Sequence, residues 1–234
     1  MRPEAGVFSV HEPRPTLQDI GHARWAGHID SRSTSTAFLQ NRKAQRRAIG
    51  RASVYVESNG GLTFLIDDLY RRFRSLRVLH VIRSPLSFIR SGVSRIDESG
   101  LQRYATDDAW LFRSSDKPSD PWSDRWEQLD IYERFAWVWR IKNQYLADWC
   151  ARHENGRTIR FEDLFRTGPV HDDAIAFASW GHVDRLDISE RINPSSADLS
   201  SDVSTWPAGR IETIDAMTGE LAGRFGYPMT DVRP

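Results

Sequence analysis

Apolar residues along this chain follow two rhythms. Residues 7–10, 53–57, 78–82 and 158–161 are short runs rich in β-branched and aromatic residues, and they predict strands. Elsewhere the apolar positions recur at helical spacing. Leu62, Leu65, Ile66, Leu69, Tyr70 and Phe73 predict one helix, and Arg71, Arg72 and Arg74 suit its negative C-terminal end. Phe135, Val138, Ile141, Tyr145 and Trp149 predict a long buried helix. Ile211, Ile214, Met217, Leu221 and Phe225 predict a C-terminal one, stopped by Gly226-Tyr227-Pro228. Strands alternating with helices predict an α/β fold, with a mainly parallel sheet flanked by helices on both faces. No internal repeat is found.

Two stretches break these rhythms. Residues 21–50 are polar and arginine-rich, and residues 97–128 combine Pro118 and Pro121 with several Asp and Ser. Both are expected to be irregular insertions or lid segments of a single domain spanning residues 1–234, since long excursions from a compact fold often line binding sites. Trp110, Trp122 and Trp126 lie in the second stretch. They read as loop anchors or as platforms for a sugar or aromatic acceptor.

Composition narrows the picture slightly. The 32 basic and 32 acidic residues balance, so charge favours no particular partner, and no nucleic-acid role is expected. No run of 18 or more apolar residues occurs, so no membrane helix is expected. The lone cysteine, Cys150, allows no internal disulfide and no cysteine-rich metal site. A soluble, cytoplasmic protein without a metal is the expectation; the sequence leaves its oligomeric state open.

The chemistry concentrates where strands end. Val78 to Ile82 runs into Arg83-Ser84-Pro85, and Ser91 follows eight residues after the arginine. Ser-Pro fits an N-cap followed by proline in the first helical turn. Arg83 thus sits where a strand gives way to a helix, the end of an open α/β sheet at which ligands bind. A guanidinium fork and a hydroxyl there suit a phosphate. Ser87, Ser91 and Ser94 share the helix face opposite Leu86, Ile89 and Val93. Glu12 and Glu57 each close a predicted strand. Either is a candidate general base, and either could equally be a carboxylate bonded to an amide or an arginine. His80, in mid-strand, reads as a core histidine, and Glu162 and Asp163 read as braces.

These residues carry a resemblance. The Arg83–Ser91 segment resembles the 3′-phosphate motif of sulfotransferases that use PAPS, the activated sulfate donor. Val7-Phe8-Ser9-Val10-His11-Glu12-Pro13 resembles the strand ending in Glu-Pro of carbohydrate-type members. Arg160-Phe161-Glu162-Asp163-Leu164 is similar to their Tyr-Glu-Asp-Leu strand end. Trp206, Ile214 and Gly226-Tyr227 are similar to their terminal pattern. The resemblance implies a P-loop-like fold and transfer of a sulfuryl group from PAPS to a hydroxyl or amine of a small-molecule or carbohydrate acceptor. Arg83 and Ser91 would bind the cofactor, and Glu12 or Glu57 would be the catalytic base.

One piece of the family pattern is missing. A strand and a glycine-bearing loop for the 5′-phosphosulfate precede the Glu-Pro strand in the family, and only six residues precede Val7 here. The run Ser31-Arg32-Ser33-Thr34-Ser35-Thr36 lacks glycine and follows no apolar stretch, so it reads as something other than that loop. The expectation is a sheet without its first, interior strand and a chain inactive as it stands, through a misplaced start or as a relative that has lost catalysis. Two alternatives are a non-catalytic pseudo-sulfotransferase that binds a nucleotide or a protein, and a P-loop small-molecule kinase.

Overall fold

A computed structural model describes residues 6–50, 52–93, 112–117, 119–183 and 203–227. The fold is mixed α/β, with two small parallel sheets flanked by helices. The chain divides into two compact units: Met1–Val81 with Tyr145–Ile188, and Ile82–Gln144 with Ser189–Pro234.

In the first unit, β1 (Val7–His11) pairs in parallel with β2 (Val54–Ser58), Val7 opposite Val54 and His11 opposite Ser58. Strands β3 (Val78–Ile82) and β4 (Gly156–Arg160) form the other sheet, and Ile82 is the residue at which the second unit begins. Val78, His80 and Ile82 are buried along β3 while Val81 is exposed. His80 is a core histidine, its Nδ1 3.2 Å from the Thr158 hydroxyl. A core of Leu17, Leu62, Leu65, Ile66, Leu69, Val78 and Trp149 fills the unit.

The predicted 62–73 helix is a 3₁₀ turn, Gly60–Leu65, running into α4, Ile66–Arg72. Glycine is needed where this turn begins, because a Cβ on Gly61 would lie 2.5 Å from the Thr16 carbonyl oxygen. Residues 21–50, expected to be irregular, wind largely as helices instead: the end of α1 (Gln18–Trp25), then α2 (Ser31–Asn41) and α3 (Lys43–Ala48). Their sequence lacks an apolar stripe because polar contacts fix them. Only Gly21, Thr34 and Arg42 are buried among residues 21–50. Asp68, 1 % exposed, gathers Arg24 (Nε at 2.6 Å), the Ser31 hydroxyl (2.5 Å) and Arg71 (3.0 Å), tying α1, α2 and α4 together. Asp67 accepts from the Tyr145 hydroxyl and Trp149 Nε1, both at 3.0 Å.

In the second unit, α5 (Pro85–Val93) starts at the predicted Ser-Pro pair. Helix α6 (Ile131–Arg152) begins in this unit and ends in the first. Its Phe135, Ala136, Trp137, Val138 and Trp139 are all buried, so this part of the helix has no solvent face. Trp126 is buried against Trp137, with centroids 5.1 Å apart, and is a core residue rather than an exposed platform. Trp110 and residues 97–111 lie outside the described residues; 112–128 contain the 3₁₀ turns Ser114–Asp116 and Ser123–Gln128. Short helix α7 (Phe161–Leu164) and α8 (Pro169–Ser179) complete the first unit, and α9 (Ala208–Arg224) the second. Among the described residues no helix is long and apolar enough to cross a membrane.

Candidate functional site

Parallel pairing of β1 and β2 brings both candidate bases to one sheet end. Val10 stands opposite Glu57, and the Glu12 amide donates to the Ser58 carbonyl at 2.9 Å. The two carboxylates differ sharply from there. Glu12 is exposed and carries φ 40°, a left-handed conformation that a non-glycine residue adopts at some cost.

Glu57 points into a buried polar cluster. Its Oε1 accepts from Arg42 (2.7 Å) and Asn59 (2.8 Å), and its Oε2 from Arg42 Nε (2.9 Å) and the Tyr55 hydroxyl (2.6 Å). The side chains of Arg42 and Glu57 are only 1 % and 4 % exposed. Arg42 also donates to the Pro15 carbonyl at 2.7 Å. A carboxylate offers about four acceptor positions, and four donors take them. Burial alone would raise the pKa of Glu57, but Arg42, Tyr55 and Asn59 outweigh it and hold the group below the ordinary glutamate range. Burial and the neighbouring carboxylate push the Tyr55 phenol well above its usual value.

The arginine–serine segment lies wholly in the second unit. Arg83 follows β3 directly, and the Ser84 carbonyl accepts from the Phe88 amide at 3.0 Å as α5 begins. Two side chains hold the backbone at this corner. Trp139 Nε1 donates to the Arg83 carbonyl at 2.9 Å, and the Tyr227 hydroxyl donates to the Ile82 carbonyl at 3.2 Å. Arg83 and Ser91 are both half-buried. Ser91 lies six residues into α5, about 9 Å of helix rise beyond Pro85. Ser87 is half-buried as well, and Ser94 lies outside the described residues. Helix α5 packs closely on α6: a Cβ at Gly92 would meet the Phe135 ring at 2.5 Å.

The Ser31–Thr36 run is the first half of α2. The Asp30 carboxylate caps it by accepting from the Ser33 amide at 2.7 Å, and Thr34 donates to the Asp30 carbonyl at 2.9 Å. A carboxylate already occupies that helix start. Glu162 and Asp163 open α7, each 3.9 Å from Arg160 Nε, and Cys150 is half-buried with its Sγ 3.6 Å from the Arg157 carbonyl.

Sequence reasoning missed Arg42, Trp139 and the cluster role of Tyr55 and Asn59. A signal existed for the last two, because Tyr55, Glu57 and Asn59 alternate and so share one strand face. Comparison with protein-family models, curated proteins and solved structures finds no match to this chain.

Proposed function

We propose that the chain belongs to the PAPS-dependent sulfotransferases and that the Arg83–Ser91 segment holds the donor's 3′-phosphate. The observation that carries this reading is the corner itself: strand β3 ends at Ile82, Arg83 follows, and α5 opens on Ser84-Pro85 with Ser91 on its half-buried side. A helix start leaves backbone N–H groups without helical partners and favours an anion, and a guanidinium fork adds charge-assisted contacts.

PAPS, when bound, supplies an activated sulfuryl group for an acceptor hydroxyl or amine. The residues present fit its 3′-phosphate end. Between the carboxylates, Glu12 is the better base, being exposed at a strand end, whereas Glu57 is engaged by Arg42, Tyr55 and Asn59. The acceptor would be a small molecule or a carbohydrate. A cytoplasmic location belongs to the same reading, and the single unpaired thiol of Cys150 suits a reducing compartment. The saturated Glu57 also favours a second reading, a pseudo-sulfotransferase that binds the nucleotide without transferring sulfate.

Calorimetry with 3′,5′-ADP tests the shared part of both readings. Arg83→Ala should weaken binding by about 1.5–3 kcal/mol, and Arg83→Lys should also lose affinity because lysine cannot reproduce the fork. Unchanged affinity in both variants removes Arg83 from the site. Where wild-type protein transfers sulfate, Glu12→Gln should lower turnover by roughly 10²–10⁴-fold with nucleotide affinity kept. Nucleotide binding with no transfer to any acceptor supports the second reading.

A further inference from the structure

The first unit carries an exposed basic surface that the nucleotide reading does not use. From Ser31 to Val56 the sequence contains no Asp or Glu, and none occurs from Leu69 to Ile96. The fold brings these two acid-free stretches together. Helix α2 lies against α4, with the Phe38 and Phe73 rings 6.0 Å apart and the Ser31 hydroxyl 3.3 Å from Arg71. Lys43, Arg46 and Arg47 are exposed on α3, the last two within one turn of Lys43. Arg72 and Arg74 are exposed at the end of α4, their guanidinium groups 5.2 Å and 5.8 Å from the Phe73 and Tyr70 ring centroids. None of these five cations makes an ion pair among the described residues. Arg42, between the two groups, is buried and neutralised by Glu57, so what reaches the surface is uncompensated.

We infer that this face of α2, α3 and the end of α4 docks a linear anionic polysaccharide. Several features select that partner. Phe38, Phe73 and Tyr70 are half-buried beneath cations and packed on other rings, so no exposed aromatic awaits an unstacked base. Among the described residues the exposed large apolar ones are Val81, Phe161, Phe165, Val170 and Trp180, none of them on α2, α3 or α4, so no described apolar side chain there is placed to enter a bilayer. Duplex DNA presents a phosphate every ~1.7 Å along a stiff rod, whereas these cations sit on one short helix and the end of another. A flexible chain of charged sugars can follow the cations alone, and exposed Gln40 and Ser75 beside them offer hydrogen bonds to hydroxyls.

The test is fluorescence anisotropy with a labelled heparin octasaccharide, a labelled 20-base-pair duplex and, by co-sedimentation, vesicles containing phosphatidylserine. The wild-type chain should bind the octasaccharide most tightly, and binding should fall steeply with added salt. The variant carrying Lys43→Gln, Arg46→Gln, Arg47→Gln and Arg72→Gln should bind it roughly tenfold or more weakly, because exposed ion pairs are individually weak but accumulate. Arg157→Gln with Arg166→Gln, on β4 and just beyond α7, should change little. Tighter binding of the duplex or vesicles, or equal loss in the control pair, overturns the inference. If the fourfold variant fails to fold, Arg46→Glu alone must weaken octasaccharide binding; unchanged affinity there overturns it too.

Discussion

The ends of β2 and β3 use charge in opposite ways. At β2, Glu57 is turned inward and taken up by Arg42, Tyr55 and Asn59 inside the first unit. At β3, side chains hold the main chain instead: Trp139 takes the Arg83 carbonyl and Tyr227 the Ile82 carbonyl, and the arginine side chain stays half-buried. A charged residue at a strand end is therefore not by itself a sign of chemistry. The β2 end clamps the carboxylate itself; the β3 end holds the main-chain carbonyls of Ile82 and Arg83, a platform beneath the arginine.

The clamp gives the largest expected effect. Arg42→Ala leaves the Glu57 carboxylate buried without its cation and should cost about 3–5 kcal/mol in urea unfolding of the whole chain. Replacing both Arg42 and Glu57 by Met should recover most of that loss, because no charge is then left stranded. Acid should act the same way. Glu57 and Asp68 are both held below their ordinary values in the fold; burial opposes this, and the donors of Arg42, Tyr55 and Asn59, and of Arg24 and Ser31, outweigh it. Their contribution is complete above the unfolded carboxylate values of about 4 and is lost as pH falls through the lower folded values. Urea midpoints that stay flat from neutral pH down to the acid range, or an Arg42→Ala chain as stable as wild type, would show that Glu57 is not clamped.

Much of this was legible in the sequence. β-branched runs marked all four described strands to within two residues, and Ser84-Pro85 marked the start of α5. Each of those signals is local. Helices α1 to α3 were not legible, because Arg24, Ser31 and Arg42 are held by Asp68 and Glu57 across 15 to 44 residues of sequence, and no apolar stripe announces them. The candidate site divides along the same line. Arg83 and Ser91 show themselves by spacing along one segment. That Glu57 would meet Arg42 depends on how α2 and β2 pack, which a single sequence does not state.

Gly92 sharpens the other side of the comparison. Alanine there would favour the helix by up to about 1 kcal/mol, but its methyl would meet the Phe135 ring at 2.5 Å, in the part of α6 that has no solvent face. Overpacking of a stiff ring should win, for a net loss of about 1–2 kcal/mol in thermal or urea unfolding. Phe135→Leu should relieve the clash and leave the double variant no worse than Phe135→Leu alone. A Gly92→Ala chain more stable than wild type would mean that α5 can shift on α6, and the platform beneath Arg83 would not be fixed.

Trp139→Phe tests that platform directly and should have the smallest effect on stability. Phenylalanine keeps most of the buried aromatic surface and removes only the Nε1 donor to the Arg83 carbonyl. A lost neutral hydrogen bond costs about 0.5–1.5 kcal/mol, somewhat more if the carbonyl stays buried. The informative reading is affinity for 3′,5′-ADP at a concentration of protein that remains folded. If the main chain at Arg83 orients its fork, Trp139→Phe should weaken nucleotide binding by a margin that Arg83→Ala abolishes, because the two changes act on one contact and would not add. Additive losses would mean that Trp139 supports the fold without aiming the arginine. The β3 end would then be held much as the β2 end is, for stability alone.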